Sequence, residues 1–325
     1  MRKLTMGLAT ALALLAGGAG AQDLKEVTIA HTPTLGGGIA RVAQELGLFE
    51  KHGLKANLVQ MDGASSTATA IISGSVDAAV SGVGELIAAN ARGVDMVALT
   101  NNYNGLNATL IFSKKEADRL GIGPEAPVEE RWKALDGALI ATTSATSSFT
   151  VSTRMAAEAA GAKPRFTHMS QTAMQAALET GAIQAYAASV PLWTVAVLNG
   201  SGYAWLSAPK GDYPADTQPV SAIGVYMMRA KAEADPDVTN RVRAAFEEVS
   251  RDFVDRPDEV KAAIIRAFPS IDPSSVDVFY EVELGGFRGG ELTVEGMARD
   301  IAYVKASGAN LPGIDAIDPA SLIAD

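Results

Sequence analysis

The chain has 325 residues, 48% of them apolar, with 27 basic and 37 acidic side chains and a net charge of −10. This length is enough for two lobes with cores of their own, and an acidic chain without a basic cluster suits neither nucleic acid nor anionic membranes. Cysteine is absent, which excludes disulfides, thiolate metal sites and the lipid anchor that requires a cysteine after a leader.

Residues 1–21 read as an export leader. Arg2 and Lys3 precede a short apolar run at 8–16, and Ala19-Gly20-Ala21 is an A-x-A cleavage motif. Losing the leader takes two of the 27 basic residues, leaving 25 against 37 acidic ones and a net charge of −12. No later run approaches about 18 apolar residues, so no membrane span is expected. The mature chain, beginning near Gln22, is expected to be a periplasmic monomer.

Strands are expected at 26–30, 55–61, 77–80, 96–100 and 109–113. Helices are expected at 39–48, 67–73 and 85–91. The residues between them form polar loops: 31–38 with three glycines, 62–66, 81–84, and 101–107 with four asparagines. Residues 114–133 read as irregular surface. Beyond them come strands at 138–141, 165–169, 184–187, 203–206 and 222–228, with helices at 151–160, 172–180 and 192–199. From Lys231 the chain is mostly helical, with amphipathic stretches at 238–254, 257–267 and 293–307. Strand–helix alternation with short links gives open, largely parallel sheets.

The stretch 141–150, ATTSATSSFT, organises the rest. A strand feeds a helix there through a loop rich in serine and threonine. The free N–H groups and dipole at the helix start, together with the hydroxyls, suit an anionic or carbonyl-bearing group. The plainer alternative is a helix cap, which serine and threonine favour in any case.

The pattern occurs twice. Ile29-Ala30-His31-Thr32 matches Ile140-Ala141-Thr142-Thr143, and Gly74-Ser75-Val76-Asp77-Ala78 matches Gly181-Ala182-Ile183-Gln184-Ala185. A repeat this long implies two related α/β lobes, each with its ligand loops at the carboxyl ends of its strands. The chain is expected to cross between lobes near residues 101–109 and 219–221, a two-segment hinge that permits closure. The lobes then comprise residues 22–106 with 220–325, and 107–219.

Enzyme signatures are missing. There is no G-x-S-x-G, no P-loop and no H-E-x-x-H, and the three histidines, His31, His52 and His168, are scattered. His31 alone ends a strand where ligand loops begin. Gly36-Gly37-Gly38 fails as a dinucleotide fingerprint because its third small position is Arg41. No metal or other cofactor is expected.

The sequence resembles the periplasmic substrate-binding proteins of nitrate/sulfonate/taurine-type ABC importers, relatives of the pyrimidine-precursor, NMT1-like binders. The residues carrying the resemblance are the opening I-A-H-T-P-T, the run AQELGLFEKHGL at 43–54, GSVDAA at 74–79, and Leu135-Asp136-Gly137 ahead of the Ser/Thr loop. It implies a two-lobed periplasmic binding protein fold with a ligand in the cleft and no catalysis. It also implies docking on an inner-membrane permease driven by a cytoplasmic ATPase. Many relatives carry Trp-Asp-Pro where this chain has Ser189-Val190-Pro191. Without that carboxylate, an amine such as that of taurine has no evident partner, and a small organic anion, sulfonate or carboxylate, fits better. The alternative is an exported enzyme or a pyrimidine-precursor-type binder on the same scaffold.

The expected ligand contacts are His31, Thr32, Thr34, Ser65, Ser66, Gly84, Asn101 and Asn102 from the first lobe. The second lobe contributes Ser144, Thr146, Ser147, Ser148, Ser189 and Trp193, the last stacking on an apolar part of the ligand or packing in the core.

Overall fold

The computed structural model describes residues 24–143, 145 and 147–325. The expected leader and its cleavage point lie outside the described residues, as do Ser144 and Thr146.

In chain order the strands are β1 (Lys25–His31), β2 (Leu54–Gln60), β3 (Ala78–Gly82), β4 (Met96–Asn104) and β5 (Thr109–Ser113). They continue with β6 (Leu139–Thr142), β7 (Arg165–His168), β8 (Ala185–Ala188), β9 (Gly202–Ser207) and β10 (Ser221–Met228). The helices are α1 (Ile39–Glu45), α2 (Leu48–Lys51), α3 (Ala64–Ile72), α4 (Val83–Ala91), α5 (Lys114–Leu120), α6 (Val128–Lys133) and α7 (Ser148–Ala159). After them come α8 (Gln171–Glu179), α9 (Thr194–Leu198), α10 (Arg229–Ala234), α11 (Pro236–Asp255), α12 (Pro257–Ala267), α13 (Pro273–Phe287) and α14 (Val294–Ala306).

Two five-stranded sheets result, in the orders β2-β1-β3-β10-β4 and β7-β6-β8-β5-β9. Each is mixed, because β10 and β5 run antiparallel to both their neighbours. The connectivity explains the reversal. β4 leaves the first sheet at its carboxyl edge, and four residues later β5 begins beside the ends of β8 and β9, with Thr109 opposite Ala188 and Ser207. A strand entering at the carboxyl edge must run backwards. β10 does the same on the return crossing. The two carboxyl edges therefore face each other.

The repeat in the sequence is a repeat in space. Ile29 stands opposite Ala78 in the first sheet, as Ile140 stands opposite Ala185 in the second. Helices cover both sheets, and the apolar cluster around Ile29 continues through Ile111, Ala141 and Trp193 of the second sheet's side.

Several elements differ from expectation. Residues 101–104 are strand, not loop, because β10 pairs with Asn101, Tyr103 and Asn104. The stretch 114–133 holds α5 and α6, the latter anchored by the buried Trp132, whose Nε1–H donates to the Asp212 carbonyl at 2.9 Å. The expected helix 39–48 breaks in two at Gly47, whose φ of 69° suits glycine.

Candidate ligand-binding cleft

The loops at the facing edges define the candidate site. In the first lobe, β1 ends at His31, buried with its Nδ1 3.0 Å from the Thr32 carbonyl oxygen. Burial lowers its pKa below 6.5, aided by the charge of Arg41. The imidazole is thus neutral at pH 7, with Nδ1–H donating to Thr32 in the tautomer this contact selects. The following loop is self-bonded. Gly37 N–H donates to Thr34 Oγ1 at 3.3 Å, and Gly38 N–H to the Thr34 carbonyl at 2.8 Å. A Cβ at Gly37 would lie 1.9 Å from Thr32 Oγ1, so this tight approach requires glycine.

α3 opens at Gly63, whose N–H donates to Ser66 Oγ at 3.2 Å while that hydroxyl donates to the Gly63 carbonyl at 2.7 Å. Ser65 is exposed beside it. Gly84 lies in the first turn of α4. There Glu85 folds back so closely that a Cβ at Gly82 would sit 2.8 Å from its carboxylate. Burial raises the Glu85 pKa. The positive end of α4 is thus covered by a side chain of its own.

In the second lobe, Ser147 is the N-cap of α7 and accepts from Thr150 N–H at 3.3 Å. Thr150 Oγ1 donates to Thr142 Oγ1 at 2.6 Å, and Thr142 Oγ1 lies 3.1 Å from His168 Nδ1. This chain of hydroxyls ties the helix start to the ends of β6 and β7. Ser189 is held by Gln171 at the start of α8, its N–H donating to the side-chain oxygen at 3.2 Å.

Among the described residues, hydrogen bonds join the lobes at three places around these loops. Leu35 N–H of the β1–α1 loop donates to the Val190 carbonyl at 3.4 Å. The Tyr303 hydroxyl on α14 lies 2.9 Å from Ser152 Oγ and donates to the Ser148 carbonyl at 3.3 Å. Trp193 Nε1–H donates to Glu283 of α13 at 3.2 Å. The structure thus brings the loop of His31, Thr32 and Thr34 beside Ser189. It sets Ser147 and Ser148 beside α14.

Two other expected contacts lie away from these loops, and Trp193 takes the packing role rather than an open face. Asn102 is buried within the first lobe, its amide donating to the Phe246 carbonyl at 2.9 Å and Ser250 Oγ at 3.0 Å. Asn101 donates to Asn104 at 2.7 Å on the same strand. Trp193 is 1% exposed and forms part of the core at the lobe junction.

Sequence reasoning missed four residues that shape the cleft and hinge: Glu85, Tyr303, Glu283 and Asp300. For Glu283 and Asp300 a signal existed. Glu283 falls on the apolar stripe of Val276, Phe279, Tyr280 and Phe287, and Asp300 on that of Met297, Ile301 and Val304. A carboxylate on a buried helix face needs a partner. Asp300 finds it at the return crossing, where its carboxylate accepts from Val220 N–H at 2.6 Å and Ser221 N–H at 3.2 Å. The two crossings are laced together nearby. Gly105 N–H donates to the Val220 carbonyl at 2.9 Å, and Leu106 N–H to the Gln218 side chain at 3.0 Å.

Two mixed sheets, flanked by helices and joined edge to edge by two crossings, define the periplasmic binding protein fold. The sequence profile of the NMT1-like family matches residues 20–265, and the chain belongs to that family. No curated protein matches it in sequence. Among solved structures it is similar to the periplasmic aliphatic sulphonate binding protein SsuA from Escherichia coli. That similarity has a TM-score of 0.72 at 17% identity and covers 92% of this chain and 97% of the other. The alkanesulfonate-binding SsuA of Xanthomonas axonopodis pv. citri, solved with MOPS, matches with a TM-score of 0.67 at 16% identity over 93% and 99%. The periplasmic nitrate-binding protein NrtA of Synechocystis PCC 6803 matches with a TM-score of 0.67 at 14% identity over 91% and 86%. Among the described residues no helix is long and apolar enough to cross a membrane, and no group of three or more His, Asp or Glu side chains could hold a metal ion.

Proposed function

We propose that the protein is an extracytoplasmic solute-binding protein that captures a small organic anion between its lobes and delivers it to an ABC importer. The observation that carries this reading is the pairing of two strand–loop–helix units, related by the internal repeat, at facing carboxyl edges. The ligand's acceptor group sits at the start of α7, held by backbone N–H groups and by Ser144, Thr146, Ser147 and Ser148. Thr32, Thr34, Ser65 and Ser66 approach from the first lobe, with neutral His31 at the rim. Dipoles of N–H and O–H groups meet the negative charge, which permits release without breaking an ion pair. SsuA and NrtA, named for sulfonate and nitrate binding, share the fold and lend weight to an oxyanion ligand. The lobes divide near residues 106 and 219, and the mature chain works in the periplasm as a monomer.

A thermal-shift screen tests this with ethanesulfonate, taurine, nitrate and short carboxylates. One of these oxyanions should raise the melting temperature and be recovered unchanged. If no anion shifts it, or if the bound compound is turned over, the reading is wrong.

A further inference from the structure

The junction of the lobes holds a buried carboxyl group with no cation beside it among the described residues. Glu283 on α13 is 1% exposed. One oxygen accepts from the hydroxyl of Tyr103, near the end of β4 where the chain leaves the first lobe. The other accepts from Trp193 Nε1–H at 3.2 Å, from the second lobe. Tyr103 is locked to the same helix. A Cβ at Gly286 would lie 2.2 Å from its ring, and Phe287 packs edge-on to it at 4.9 Å.

We propose that Glu283 is a proton-linked latch on lobe opening, with one oxygen fixed to the hinge strand of its own lobe and the other holding the indole of the opposite lobe. Opening withdraws Trp193 and lets water reach the carboxyl group. Water favours the charged form, and closed burial favours the protonated one. In the closed arrangement burial pushes the group up to about 7, against an ordinary value of 4.5. Closure therefore takes up a proton, and the closed state loses ground as pH rises through about 7.

The charged residues on neighbouring elements turn elsewhere. On α12, Lys261 pairs with Asp277 at 2.7 Å and Arg266 with Glu45 at 2.9 Å. Between α11 and α12, Arg256 pairs with Asp252 of α11 and, at 2.9 Å, with Glu259 of α12. Arg243 donates to the carbonyls of Leu99 and Ala324. α9 has no titratable side chain. Tyr103, on β4, is the one titratable group facing Glu283 among the described residues, and burial, reinforced by Glu283, keeps it protonated.

The inference rests on the reading of two lobes that move. With no native cysteine, spin labels at Ile72→Cys on α3 and Leu120→Cys on α5 report lobe separation in ligand-free protein by double electron–electron resonance. The ratio of short to long distances should fall roughly tenfold or more from pH 5 to pH 9. Glu283→Gln should flatten the profile. Trp193→Phe, which removes the donor and keeps an aromatic ring, should reduce its slope, with circular dichroism verifying the fold of both variants. A Glu283→Gln profile matching the parent overturns the latch alone. One unchanging distance at every pH, and with a ligand from the thermal-shift screen, overturns both the latch and the moving lobes.

Discussion

The carboxylate of Asp300 accepts the Val220 amide at 2.6 Å, pinning the return crossing to α14 with a side chain that is 0% exposed. Asp300→Ala would leave the Val220 and Ser221 N–H groups without their partner and should cost roughly 2–5 kcal/mol in urea unfolding. Burial raises the Asp300 pKa to about 6 from an ordinary 3.8. A raised carboxyl pKa stabilises the fold fully below the lower value and loses that contribution as pH rises through the higher one. The stability advantage of the parent over Asp300→Asn should therefore shrink between pH 4 and pH 7, by up to about 3 kcal/mol. A gap independent of pH would mean that the carboxyl group is ionised throughout that range.

Ser147 and Ser148 form the measurable part of the proposed anion site. A hydrogen bond to a charged group is worth roughly 1.5–3 kcal/mol, and each 1.4 kcal/mol is tenfold in affinity. The double alanine variant should bind the best anion from the thermal-shift screen at least about tenfold more weakly by titration calorimetry. Because Ser147 also caps α7, a loss of about 1 kcal/mol in stability should accompany this. Lost stability with unchanged affinity would leave the hydroxyl as a cap only.

Tyr303 bridges the lobes through Ser152 and the Ser148 carbonyl. Tyr303→Phe removes the hydroxyl and keeps the ring. It should weaken anion binding by up to about tenfold, in line with roughly 0.5–1.5 kcal/mol per hydrogen bond. Small-angle scattering should show a larger radius of gyration for the variant at subsaturating ligand. Equal radii and equal affinity would place the contact on a surface that does not separate.

His31 should titrate below 6.5, since burial and Arg41 both oppose its charge. A depressed histidine pKa adds stability above the ordinary value and loses it as pH falls through the folded one. Imidazole proton shifts in NMR, assigned by comparison with His31→Gln, should show the ring neutral at pH 7. A midpoint above 6.5 would indicate a negative partner in the cleft.

Much of this protein was legible in the sequence by itself. The Ile29 and Ile140 motifs gave the doubled α/β plan, because strand, loop and helix each leave a local signature of apolar runs and caps. The Ser/Thr stretch before α7 marked a helix start for the same reason. Local pattern cannot say which strands become neighbours. Only the tertiary structure decided that Asn101–Asn104 pair with β10, that β5 and β10 run backwards, and that Trp193 is buried against Glu283. These outcomes depend on contacts between residues about 70 to 150 positions apart. There a side chain's role follows from the burial and hydrogen-bond partners that distant stretches of the chain supply, and no local spacing encodes them.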